Sequence, residues 1–169
     1  MNVQTARRLH RMGGLAPFLL PLVALALVLG DVRAQPPADT AAARAAVLAT
    51  LAEETRAFCH RDLEAWRRQW VHAEFTSKLY AGDVAFEELI GWTAVDSFTR
   101  AHIRDHPDTI PIAPLRAQVD VTFLGEVAYV EYAKQVAGGI ARELRLLAAD
   151  AGRWRIVRTE TLYRADVRN

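Results

Sequence analysis

The hydrophobic pattern of this chain is clearest in its second half. From Pro114 to Arg164, apolar and polar positions fall into four long strand-like runs of about ten residues each, with short turns at Gly125, Gly138-Gly139 and Gly152. Runs of this kind between Gly-bearing turns predict a meander of β-strands, and strands of that length must twist and coil. The first half has a different period. Val47, Leu48, Leu51, Thr55 and Phe58 recur at helical spacing, behind Asp39 or Thr40 as a cap. Asp62 caps a second, shorter helix with Leu63, Trp66 and Trp70 on one side and Arg67 and Arg68 on the other.

Alternation returns from Glu74 to Tyr80. It places Val71, Phe75 and Leu79 on one face of a strand, and His72, Glu74, Lys78 and Tyr80 near the other. Ala81-Gly82-Asp83 is a turn, and Ala85 to Ile90 comes back as a short partner strand. Gly91 breaks the pattern, and Thr93 with Asp96 forms a capping box for a third helix running to Asp105. Val95, Phe98, Ala101 and His102 make its inward stripe, Pro107 ends it, and residues 108–114 form an extended connector. Helices followed by a meander predict an α+β fold: a strongly curved antiparallel sheet wrapped around three N-terminal helices.

Residues 1–34 stand apart from this plan. Arg7, Arg8 and Arg11 precede an apolar run from Leu15 to Leu29, and Val32-Arg33-Ala34 suits a cleavage site. These are the marks of a secretory leader, removed before Gln35, and the apolar run is short of the roughly 20 residues a membrane-spanning helix needs. The organisation expected is a leader over 1–34, a linker over 35–39, one domain over 40–165 and a tail over 166–169, with the mature protein periplasmic or secreted.

Cleavage changes the charge. The leader holds four of the 21 Lys and Arg and one of the 20 Asp and Glu, so the net charge moves from +1 to −2. No basic patch remains to recruit nucleic acid or an anionic membrane. Cys59 is the only cysteine, so no intrachain disulfide forms in an oxidising compartment, and behind Phe58 it reads as a small core residue.

The order of elements, with Asp62-Leu63-Glu64-Ala65-Trp66 on the short helix, Gly91-Trp92 before the third and Gly152-Arg153-Trp154-Arg155-Ile156 at the close, resembles the nuclear-transport-factor-2-like superfamily. That is the cone-shaped α+β barrel shared by ketosteroid isomerases, scytalone dehydratase and SnoaL-type polyketide cyclases. Trp70-Val71-His72, Gly91-Trp92 and Glu143-Leu144-Arg145-Leu146-Leu147 are similar to an exported SnoaL-like bacterial subgroup. The resemblance implies a conical cavity between sheet and helices, and a homodimer formed by packing sheets together. The ketosteroid isomerase trio has no match here, since Asp96 and Asp120 fit a helix cap and a strand residue.

His72 is the candidate general base, because a neutral imidazole accepts a proton and Glu74 or Tyr80 can assist it. The residues expected to line a ligand cavity are Trp70, His72, Trp92, Phe98, His102 and Tyr132. His102 and His106, four apart on a helix, are too few for a metal site, so no metal is expected. The chain lacks a Ser-His-Asp order, a phosphate-cradling Gly loop and a Cys-x-x-Cys pair, and no cofactor is expected. Glu143 and Arg145 read as an ion pair on a solvated strand face. The function expected is binding of a small, partly apolar molecule. The alternatives are a cofactor-free lyase, isomerase or cyclase using His72, and a structural homodimerisation module.

Overall fold

A computed structural model describes residues 40–82, 86–112, 118–136 and 139–165. The leader, the linker and the C-terminal tail lie outside the described residues. Helix α1 spans Thr40–Cys59 and buries Val47, Leu51, Glu54, Ala57 and Cys59. The chain reverses through Arg61, held at φ 63°, and Asp62 caps α2 (Leu63–Arg67), its carboxylate accepting from the Ala65 amide at 2.9 Å. Strand β1 is Ser77–Ala81 and β2 is Phe86–Ile90, so the first strand begins three residues later than its sequence pattern suggests.

Helix α3 spans Trp92–Asp105. The expected Thr93/Asp96 capping box does not form. Gly91 at φ 87° takes the N-cap position, and Asp96 turns inward to meet two arginines. Arg67 of α2 grips Asp96 with both arms of its guanidinium, at 2.6 and 3.0 Å, and Arg100 joins from the next helical turn. Burial alone would raise the Asp96 carboxyl, but these arginines outweigh it and hold it below the usual carboxylate range. A residue that reads as a cap is thus the tie between two helices.

Strands β3 (Asp120–Leu124), β4 (Val127–Val136), β5 (Gly139–Asp150) and β6 (Arg153–Ala165) complete one six-stranded sheet in the order β2-β1-β6-β5-β4-β3. Every pairing is antiparallel except that of β1 with β6. The sheet is curved and unclosed, with short five-residue strands, β2 and β3, at its edges, where exposed backbone invites unwanted pairing. The β5–β6 turn places both Ala151 (φ 49°) and Gly152 (φ 76°) in the left-handed region, as a type I′ hairpin requires. Ala151 is the misfit there, since a Cβ disfavours that region. Ala151→Gly is therefore expected to stabilise the fold by about 0.4–1 kcal/mol, read as a higher urea midpoint with unchanged slope.

One irregularity decides which residues face the helices. Between Leu146 and Leu147 the β5–β6 register shifts, so Leu146 pairs with Arg158 but Leu147 pairs with Ile156. This bulge in β6 lets both Ile156 and Thr159 point inward, and it sharpens the bend of the strand. The concave face then divides along its length. Ala128, Val130, Leu147 and Ile156 at one end join Val47, Leu51, Trp66, Trp70 and Val95 in the hydrophobic core. Further along the same strands, Tyr132, Lys134, Glu143, Arg145, Thr159 and Thr161 take over, and a cavity opens.

Candidate functional site

The cavity has a volume of about 910 Å³. Phe58 and Cys59 from α1, Phe98 and His102 from α3, and Ile110, Pro111 and Ile112 from the connector form an apolar wall. The sheet supplies the polar wall in two rows of paired residues. Lys78, Thr159 and Arg145 are partners across β1, β6 and β5; one step along, Tyr80, Thr161, Glu143 and Tyr132 are partners across four strands. Every residue of both rows lines the cavity.

A charged network runs beneath this wall. Glu143 is fully buried, and its Oε2 accepts from Arg145 Nη2 and from the Thr161 hydroxyl, each at 3.0 Å. Lys134 Nζ lies 2.6 Å from the other oxygen, an ion-pair contact whose direction is poor for a hydrogen bond. Arg145 Nη1 reaches Glu54 at 3.7 Å, and Glu54 in turn accepts from the Trp66 indole at 2.9 Å. Burial alone raises the Glu143 carboxyl, yet Arg145, Lys134 and Thr161 outweigh it and keep it below the usual range. Burial also works against a charged Arg145, and the neighbouring tyrosines and carboxylates reverse that and hold it protonated. The expected solvated pair of Glu143 and Arg145 is therefore corrected to a buried network, because the inward face of β5 carries Ala141, Glu143, Arg145 and Leu147.

Four of the expected site residues do reach the cavity: Tyr80, Phe98, His102 and Tyr132. Four do not. Trp70 is wholly buried in the core, and Trp92 is stacked between Trp66 at 5.8 Å and His72 at 3.9 Å. His72 itself is exposed and its Nε2 donates to the Arg67 carbonyl at 3.0 Å, the bond fixing which nitrogen carries the proton. Glu74 is exposed as well. The expected general base thus sits on the surface, stacked on an indole, bonded to backbone and outside the lining of the cavity. Its strand starts at Ser77 rather than beside His72, so the alternation that placed His72 near the cavity does not extend that far back.

His102 stacks on Phe58 at 5.5 Å and lies 4.8 Å from the ring of His106. Among the described residues, no three His, Cys, Asp or Glu gather in a group able to hold a metal ion. Burial, then repulsion from His106, Arg61 and Lys78, pushes the His102 imidazole below its ordinary value, with Asp105 opposing. The fold therefore favours the neutral ring, and its contribution to stability is full above the unfolded value of about 6.5 and is lost as pH falls toward the lower folded value. His102→Phe keeps the stack, so the drop in thermal midpoint between pH 7.5 and 5.5 is expected to be smaller in the variant, as differential scanning fluorimetry would show.

Lys78 is the residue that sequence patterning passed over. It is 5% exposed, and its ammonium lies over the rings of Trp66, Trp70 and Tyr80 at 5.2, 5.4 and 5.8 Å. The signal was present in the row of partners: a lysine two residues before a tyrosine, on a strand whose other face carries Leu79.

With sheet order and cavity defined, the architecture is that of the nuclear-transport-factor-2-like proteins: helices against a curved, mostly antiparallel six-stranded sheet. Among solved structures, it is similar to a nuclear-transport-factor-2-like superfamily protein from Salmonella enterica serovar Typhimurium (15% identity, 77% of this chain, 96% of that one, TM-score 0.59). It is also similar to a protein of the same type and unknown function from Silicibacter pomeroyi (19%, 75% and 99%, 0.57) and to a cystatin-like fold protein from Burkholderia xenovorans (24%, 72% and 91%, 0.54). At these identities the likeness shows the fold alone, and one fold hosts many functions. No protein-family model and no curated protein matches the chain.

Proposed function

We propose that this chain is an exported protein whose cavity binds a small, partly apolar molecule. The observation that carries the reading is the cavity itself, about 910 Å³ with an apolar wall on the helices and converging polar groups on the sheet. Small-molecule sites have this size and this composition: mostly apolar walls with a few placed polar groups. Export rests on the leader pattern in residues 1–34, whose removal leaves the domain intact in this reading. Native mass spectrometry of the mature protein, purified from its exporting host, is the test. A bound species of a few hundred daltons that is released on denaturation supports the reading, and bare protein in every preparation contradicts it.

A second copy of the chain is the proposed partner. Phe86 and Leu162 flank Ala81 in one row on the outer face of the sheet, 72% and 45% exposed, with Ile140 on the same face. Apolar side chains grouped this way suit an isologous sheet-to-sheet contact. Light scattering of the mature protein is expected to give twice the monomer mass, with Phe86→Glu returning it to the monomer value.

A further inference from the structure

We propose that the cavity takes its ligand by a carboxylate head group seated on Lys78, with the apolar body of the molecule against Phe58 and Phe98; this rests on the small-molecule reading above. Among the described residues, the Lys78 ammonium makes no ion pair and no hydrogen bond, although the residue is only 5% exposed. Its neighbours are three aromatic faces, which attract a cation without neutralising it. Buried charges are ordinarily paired. A buried lysine without an ion pair at the wall of an open cavity thus suits an anionic partner.

The charges around it show which anion. Glu54 and Glu143 are already engaged by Arg145 and Lys134, and Glu87, the third carboxylate lining the cavity, is exposed and makes no ion pair with Lys78. Of the three lining cations, Lys78 is the one without an ion pair among the described residues, and it offers a single positive charge. A phosphate, at roughly −1.5 to −2, would exceed it. A carboxylate matches it.

The donors needed for the two carboxylate oxygens are arranged nearby. Thr159 lies beside Lys78 in the same row, one strand spacing away, on the order of 4.8 Å. Thr99, on the helix side of the same cavity, has a buried hydroxyl with no partner among the described residues. An acceptor group entering between sheet and helix would satisfy that hydroxyl as well as the ammonium. An alcohol or an amide of the same shape would leave Lys78 uncompensated, and burying it deeper under such a ligand is unfavourable.

The test is displacement of the neutral fluorescent probe N-phenyl-1-naphthylamine from the mature protein by three molecules of one shape: 2-naphthoate, 2-naphthamide and 2-naphthyl phosphate. Naphthoate is expected to displace the probe at about tenfold lower concentration than naphthamide, the scale of one charge-assisted contact, and more effectively than the phosphate. Lys78→Met should bring naphthoate and naphthamide level while still binding the probe, and Lys78→Arg should keep the preference. Equal displacement by naphthoate and naphthamide in the unaltered protein overturns the proposal whatever the variants do, and so does a preference that survives in Lys78→Met or a stronger response to the phosphate. If the probe binds in these cases, the cavity reading still stands. Failure of the probe and all three molecules to bind overturns both.

Discussion

Replacing Glu143 by Gln is expected to lower the unfolding free energy by about 3–5 kcal/mol, the scale seen when one partner of a buried ion pair is removed. The carboxylate is fully buried and serves Arg145, Lys134 and Thr161 together. Its loss leaves Arg145 only the 3.7 Å contact with Glu54 and takes away the carboxylate that Lys134 pairs with. An amide keeps the shape and can still accept from Thr161, so the loss reports charge rather than a void. Arg145→Met should also destabilise, but the double variant should be more stable than the sum of the two losses, by about 1 kcal/mol or more, since neither charge is then stranded. The pH dependence has a definite sign. The folded-state carboxyl of Glu143 lies below its ordinary value, so its contribution is full above about 4.3 and is lost as pH falls through the folded value. Urea unfolding should therefore show the deficit of Glu143→Gln shrinking below about pH 4. A deficit under 1 kcal/mol at pH 7 would mean that the network is wetter than the structure indicates.

Trp66→Ala should be the other severe change, destabilising by about 3–5 kcal/mol through loss of a large buried ring. Trp66 has no exposed surface, contacts Trp70 at 5.3 Å and Trp92 at 5.8 Å, and donates to Glu54 from its indole nitrogen. It joins the dry core to the charged wall, since the Lys78 ammonium lies over its ring at 5.2 Å. Trp66→Phe separates the two roles. It keeps most of the packing but strips Glu54 of a partner, and a loss of about 1–3 kcal/mol is expected. Equilibrium unfolding followed by fluorescence of the remaining tryptophans measures both. Equal losses for Ala and Phe would place the whole effect in the hydrogen bond.

The two variants mark what was and was not legible in the sequence. Order and type of the elements were legible because each carries a local signal: the helical stripe through Val47, Leu51 and Phe58, the Asp62 cap, the turns at Gly125 and Gly152. The fold class follows from that order. The site was less legible, because alternation separates two faces of a strand without saying which one is concave. Glu143 and Arg145 alternate with Leu144 and Leu146, and the natural reading sends the charges to water. In the folded chain the register with β4 puts them opposite Tyr132 and Val130, on the helix side. The bulge that turns Thr159 and Thr161 inward has no Gly or Pro to announce it. His72 failed for a related reason: a residue before the first ladder pair has no face assigned by alternation. The long-range parallel pairing of β1 with β6 creates the Lys78–Thr159–Arg145 row, with Lys78 and Thr159 some 80 residues apart. No local pattern contains it.

The central claim, that the cavity is a binding site, is tested most directly by filling it. Thr55 on α1 lines the cavity, is only partly buried and has no part in the charged network, so Thr55→Trp places an indole in the space with the network intact. Titration of N-phenyl-1-naphthylamine into the unaltered protein should give saturable fluorescence, and the same titration into Thr55→Trp should give a response at least about tenfold weaker, the loss expected when a ligand's volume is already occupied. Thermal midpoints of the two proteins should agree within a few degrees. Probe binding that is unchanged in Thr55→Trp would place the binding elsewhere on the molecule and contradict the account.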